Sequence, residues 1–301
     1  MLNTPSFLVI GPAKTGTTWL YQQLKEVDGI EMPPAKEICF FNEVNFKEIT
    51  TGNGNNAIKE FEAFGVEPSE ANIAAAKQRF RKRHKAHMQA AFKQGQYFWG
   101  FLCRYFPRNK GALSWYLYSK LFITKGGKFS GDISPPYFTL SESIISLIAN
   151  RFPNLKLVII IREPAQRAWS NIRMNYHAEN GAGAMSIEDY LKTEACRKRY
   201  MVQGDYQQTI TNWEKYLPSK RIQYLFYDDL AAYPRKFLQQ FLDFLRPGLH
   251  FNQLIESKIG EGKEHKMTDE VLSELVKNNL AQYHFLAQKF GPGSYPQGNR
   301  V

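Results

Sequence analysis

The amino-acid sequence predicts a single α/β domain with a central, mostly parallel sheet flanked by helices. Three observations predict it. A short apolar strand near the N-terminus runs into a Gly/Thr-rich turn and then a helical pattern. Residues 155–161, Leu-Lys-Leu-Val-Ile-Ile-Ile, form the kind of apolar run that a parallel sheet covers on both faces. Strand and helix patterns then keep alternating along the chain. With 301 residues, 43% of them hydrophobic, the chain can fill the core of one large domain spanning 1–301.

Taken in order, residues 6–10 read as the first strand, ending at Gly11, and Trp19, Leu20, Gln23, Leu24 and Val27 mark the helix after the turn. The Gly/Asn stretch 51–56 reads as a surface loop within the domain. A basic helical insertion follows at about 57–98. Its helix, 69–93, places Ile73, Phe80, His84, Met88 and Ala91 on one face and Lys77, Arg79, Arg81, Lys82, Arg83 and Lys85 on the other. A solvated face is the simpler reading of those charges, and a docking surface for an acidic substrate or carrier the sharper one. A helix over 141–152, capped by Ser141, precedes the strand at 155–161. Pro164 suits the first turn of a helix reaching about Asn175. A strand at 222–227 follows, and Thr268 caps a closing helix to Lys289, stopped by Gly291-Pro292.

Lys and Arg outnumber Asp and Glu by 39 to 28, a net charge of +11 that implies an anionic partner: a nucleotide, an acidic substrate, nucleic acid or a membrane surface. Charge alone does not choose among them. Cys39, Cys103 and Cys196 are widely separated and lack ligand spacing, which argues against a disulfide framework or a zinc site. The apolar stretch 7–10 is too short for a signal peptide or a membrane span, so a cytoplasmic enzyme without a transmembrane segment is expected.

The strongest local signal is Gly11-Pro12-Ala13-Lys14-Thr15-Gly16-Thr17-Thr18. Its glycines have P-loop spacing, but Thr17 takes the usual lysine position and the lysine has moved to Lys14. The loop is therefore P-loop-like. Backbone N–H groups of Thr15 to Thr18 at a helix N-terminus still suit a phosphate. A P-loop kinase also needs Mg²⁺, usually held by an aspartate ending a neighbouring strand. Here that strand ends in Arg162, which repels a metal and attracts a phosphate, so metal-free transfer from a multiply phosphorylated nucleotide is the better reading. A nucleotide kinase and a noncatalytic polyanion-binding protein stand as rivals.

Residues 14–20, Lys-Thr-Gly-Thr-Thr-Trp-Leu, resemble the 5′-phosphosulfate loop of sulfotransferases that use 3′-phosphoadenosine 5′-phosphosulfate (PAPS). Residues 162–170, Arg-Glu-Pro-Ala-Gln-Arg-Ala-Trp-Ser, are similar to that family's 3′-phosphate motif, which implies that Arg162 and Ser170 bind the 3′-phosphate. Lys36-Glu37-Ile38-Cys39-Phe40-Phe41, Trp115-Tyr116 and the segment 131–138 resemble the heparan sulfate branch and its bacterial relatives. The resemblance implies that Lys14, Thr15, Gly16, Thr17, Thr18, Arg162, Ser170, Gly262 and Lys263 bind PAPS and that no metal is required. It also implies that Lys14 neutralises the leaving oxygen and Glu37 is the catalytic base. Glu37 borders the apolar run 38–41, where partial desolvation suits a carboxylate to accept a proton. Lys36, Trp115, Tyr137 and His177 are the candidate acceptor-binding residues. His177 is placed just beyond the helix that starts at Pro164 and is the second choice for the base. Cys39 stands where many relatives have histidine and Ile133 where many have lysine. The expected partner is thus a small-molecule, glycan, glycolipid or carrier-tethered acceptor, with no nucleic acid.

Overall fold

The computed structural model describes residues 4–33, 36–41, 118–119, 121–124, 126–179, 185–255 and 265–292. The expected loop at 51–56, the insertion at 57–98 with its basic helix, Cys103, Trp115, Gly262 and Lys263 lie outside the described residues.

Among the described residues the core is a four-stranded parallel sheet. Its strands are β1 (Phe7–Ile10), β2 (Gly131–Ile133), β3 (Lys156–Ile161) and β4 (Ile222–Phe226), in the order β2-β1-β3-β4. Phe7 pairs in register with Gly131 on one side and Lys156 on the other, and Ile159 pairs with Tyr224. Alternation along β1 and β3 divides the interior into two layers. Leu8, Ile10, Leu157, Ile159 and Ile161 face a layer containing Trp169, Tyr206 and Trp213. Phe7, Val9, Val158 and Ile160 face the layer of helices α1 (Thr17–Leu24) and α8 (Pro234–Leu245). Burial on both faces is the reason β3 reads as an unbroken apolar run.

The remaining helices are α2 (Glu142–Arg151), α3 (Pro164–Glu179), α4 (Ile187–Lys192), α5 (Glu194–Val202), α6 (Tyr206–Tyr216), α7 (Tyr227–Ala232), α9 (Asp269–Asn278) and α10 (Leu280–Phe290). Helix α3 runs to Glu179 and takes in His177, which was expected beyond its end. The closing helix is two helices. Asn279 turns its side-chain amide onto the Leu275 carbonyl at 2.7 Å and breaks the helical path, although Thr268 caps α9 as expected, accepting from the Val271 amide. Ser141 stands at the N-cap of α2, but its hydroxyl pairs with that of Ser143 and caps no backbone amide. Strand β4 stops at Phe226, and Tyr227 begins α7, with Asp228 and Asp229 in its first turn where the helix dipole favours them.

Candidate active site

The loop from β1 to α1 is set by two left-handed residues, Lys14 at φ 78° and Gly16 at φ 80°. Gly16 is the N-cap of α1. A Cβ there would lie 2.3 Å from Leu230 Cδ2, so both its conformation and its packing call for glycine. Thr15 is fully buried, and its Oγ1 donates to the Pro12 carbonyl at 2.9 Å, bracing the turn from inside. Its expected contribution to an anion is therefore its backbone N–H. No side chain caps α1, and its first turn holds no acid, which leaves its leading backbone N–H groups suited to an anion.

Arg162 follows β3 directly. Its Nη1 donates to the Lys14 carbonyl at 2.7 Å, and its guanidinium lies 4.2 Å from the centre of the Tyr227 ring. Glu163 closes the N-terminus of α3 by accepting from the amides of Ala165, at 3.3 Å, and Gln166. Anion recognition on this side thus falls to side chains. Ser170 lines the same cleft, and so does Arg173, which lies three residues further along α3 on the same face. Sequence reasoning passed over Arg173, although its spacing from Ser170 signalled it. Burial lowers the pKa of Lys14, and Arg162, Arg173 and Lys36 lower it further. Burial and Arg162 also lower that of Arg173.

The third wall is built on β2. Glu37 and Cys39 adopt φ values of 60° and 54°, unusual for residues with side chains. The Glu37 amide donates to the Ile133 carbonyl at 3.0 Å and the Cys39 amide to Ser134 Oγ at 3.2 Å, while Ile38, Phe40 and Phe41 are buried in the core. These anchors hold the turn. Glu37 lines the cleft, its side chain 44% exposed and ion-paired with Lys36. Beneath it, Asp132 is buried and accepts hydrogen bonds from Ser134 Oγ and Tyr137 Oη, both at 2.6 Å, and from Tyr118 Oη at 3.1 Å. Burial pushes the Asp132 pKa up to about 6. Tyr137 was expected against the acceptor, but it is fully buried with its hydroxyl on Asp132 and supports the wall from behind. His177 stacks on His265 at 5.2 Å and is not among the residues lining the cleft.

Lys14, Gly16, Thr17, Thr18, Lys36, Glu37, Arg162 and Ser170 therefore meet around one cleft of about 550 Å³. That volume falls within the range of roughly 300–1,000 Å³ typical of small-ligand sites. Pro135, Pro136, Phe138 and Met174 supply its apolar surface. Among the described residues no group of three or more His, Cys, Asp or Glu side chains could hold a metal ion, and no helix is long and apolar enough to cross a membrane.

Comparison with known proteins bears on the fold and the family. The solved structure of a sulfotransferase from Alicyclobacillus acidocaldarius is similar, with 18% identity, 95% of each chain covered and a TM-score of 0.59, and it shows the shared fold. The sulfotransferase domain from the curacin biosynthetic pathway is a looser likeness, too loose to carry an argument: 16% identity, 83% of this chain and 76% of that one, TM-score 0.47. No curated protein sequence matches. The family model described as the Sulfotransferase family matches residues 5–252, most of the chain, and so the chain belongs to the sulfotransferase family.

Proposed function

We propose that this sulfotransferase takes PAPS as donor, passes its sulfuryl group in line to a hydroxyl or amine, and releases adenosine 3′,5′-bisphosphate. One observation carries the reading. Two cradles of different chemistry, the backbone amides of α1 with Lys14 and the side chains of Arg162 and Ser170, open into a single cleft. A nucleotide phosphorylated at both ends needs two such sites, and the donor set fits it. Guanidinium and hydroxyl groups suit the 3′-phosphate, while a helix N-terminus and an ammonium suit the phosphosulfate. Bound there, PAPS supplies the sulfuryl group and a stable phosphate leaving group.

In this reading Lys14 neutralises the charge that develops on the leaving oxygen, and Arg173 adds positive potential to the same cleft. Glu37, held at the cleft wall by its strained turn, accepts the proton of the attacking group, and Lys36 orients the carboxylate through their ion pair. Gly262 and Lys263 are proposed to complete the nucleotide site and Trp115 the acceptor site. Segments 36–41 and 131–138 link the chain to the heparan sulfate branch and its bacterial relatives, and the acceptor is a small molecule, glycan, glycolipid or carrier-tethered intermediate. A cytoplasmic setting belongs to the same proposal.

The test is transfer of labelled sulfate from PAPS onto pools of these acceptors in the presence of EDTA. The expected result is labelled product with release of adenosine 3′,5′-bisphosphate. Lys14→Ala should keep the fold by circular dichroism and lose activity by a factor of about 10²–10³. Wild-type activity in that variant would remove Lys14 from its role.

A further inference from the structure

Arg162 is the first residue past the end of β3, where its backbone leaves the sheet ladder. The Tyr206 side chain meets it there. The Tyr206 hydroxyl accepts from the Arg162 amide at 3.1 Å and donates to the Arg162 carbonyl at 2.9 Å. Tyr206 is fully buried at the start of α6, with its ring edge-on to Phe138, itself part of the cleft wall. Burial raises its pKa to about 12, so at neutral pH the hydroxyl keeps the proton that it donates. From Arg162 the connection continues through Nη1 to the Lys14 carbonyl.

We propose that Tyr206 is a positioning residue: by gripping both backbone polar groups of Arg162 it aims that guanidinium at the 3′-phosphate and ties the second cradle to the first through the Lys14 carbonyl. The inference rests on the donor reading above. Tyr206 is fully buried and is not among the residues lining the cleft. Its effect on the nucleotide passes through the Arg162 side chain, and this separates it from a residue that only holds the fold together.

The experiment is a binding cycle by calorimetry with adenosine 3′,5′-bisphosphate, using the full chain and its Tyr206→Phe, Arg162→Ala and doubly substituted variants. Tyr200→Phe is the control; it removes a tyrosine hydroxyl that is bonded to Asn278 on α9 and does not touch Arg162. Tyr206→Phe should weaken binding about 10-fold, the scale of one to two hydrogen bonds. In the Arg162→Ala background the same substitution should change affinity less than about 2-fold, and so should Tyr200→Phe alone. An unchanged affinity in Tyr206→Phe, or an equal loss with and without Arg162, overturns the positioning role. A wild-type protein that does not prefer the bisphosphate to adenosine 5′-phosphate overturns the donor reading instead, and the inference with it. Should Tyr206→Phe fail to fold, hydrogen exchange of the wild-type Arg162 amide decides the matter: slow exchange supports the grip, and exchange at the rate of an unstructured chain overturns it.

Discussion

Asp132 is a carboxyl group buried in an environment that its chemistry does not favour. A carboxylate removed from water costs free energy, which its three hydroxyl donors only partly offset, and the pKa rises from 3.8 to about 6. The folded protein therefore holds this proton more tightly than the unfolded chain. The stability it contributes is fully present below the unfolded pKa and is lost as pH rises through about 6. Asp132→Asn keeps the shape and removes the titration. Relative to wild type, the variant should gain roughly 1 kcal/mol in urea unfolding between pH 5 and pH 7. An identical difference at both pH values would show that the group does not titrate there. Lys14, Arg162 and Ser170 were legible in the sequence because the family's motifs fix their spacing along one strand-turn-helix unit each. Asp132 and Tyr206 act through burial and through partners 14 and 44 positions away, which no local spacing announces.

Among the elements, β1, β3 and β4 and the helices α1, α2 and α3 were readable from apolar runs and periodicity, whereas the helices between residues 187 and 245 were not read. β2 was not, because three residues carry no period. What admits β2 to the sheet is Gly131. A Cβ there would stand 2.3 Å from the Phe7 ring, and that ring is held edge-on against Phe241 at a centroid distance of 5.4 Å. Gly131→Ala should therefore cost at least about 2 kcal/mol in chemical denaturation, as overpacking of a rigid core does. Loss of less than about 0.5 kcal/mol would mean that the ring moves freely. The break at Asn279 escaped sequence reading for a related reason. Helical periodicity continues on both sides of it, and only the side chain's bond to the preceding turn interrupts the path.

For the whole molecule, the strand order β2-β1-β3-β4 explains where the site lies. From β1 the chain first adds β2 on one side and then crosses to place β3 on the other, so the loops after β1 and β3 part above the sheet and leave a crevice at their carboxyl ends. Lys14 stands on one of those loops and Arg162 on the other, and their 2.7 Å hydrogen bond spans the gap. The net charge of +11 reports an anionic partner without saying which one. The proposed activity depends on recognition of a nucleotide by both its phosphate ends. Calorimetry with adenosine 3′,5′-bisphosphate and with ATP, each with and without EDTA, on wild type and Arg162→Ala, tests this most directly. Wild type should prefer the bisphosphate by a factor of about 100 whether or not chelator is present, and Arg162→Ala should lose most of this preference. Equal affinity for the two nucleotides, or a preference that survives Arg162→Ala intact, would contradict it.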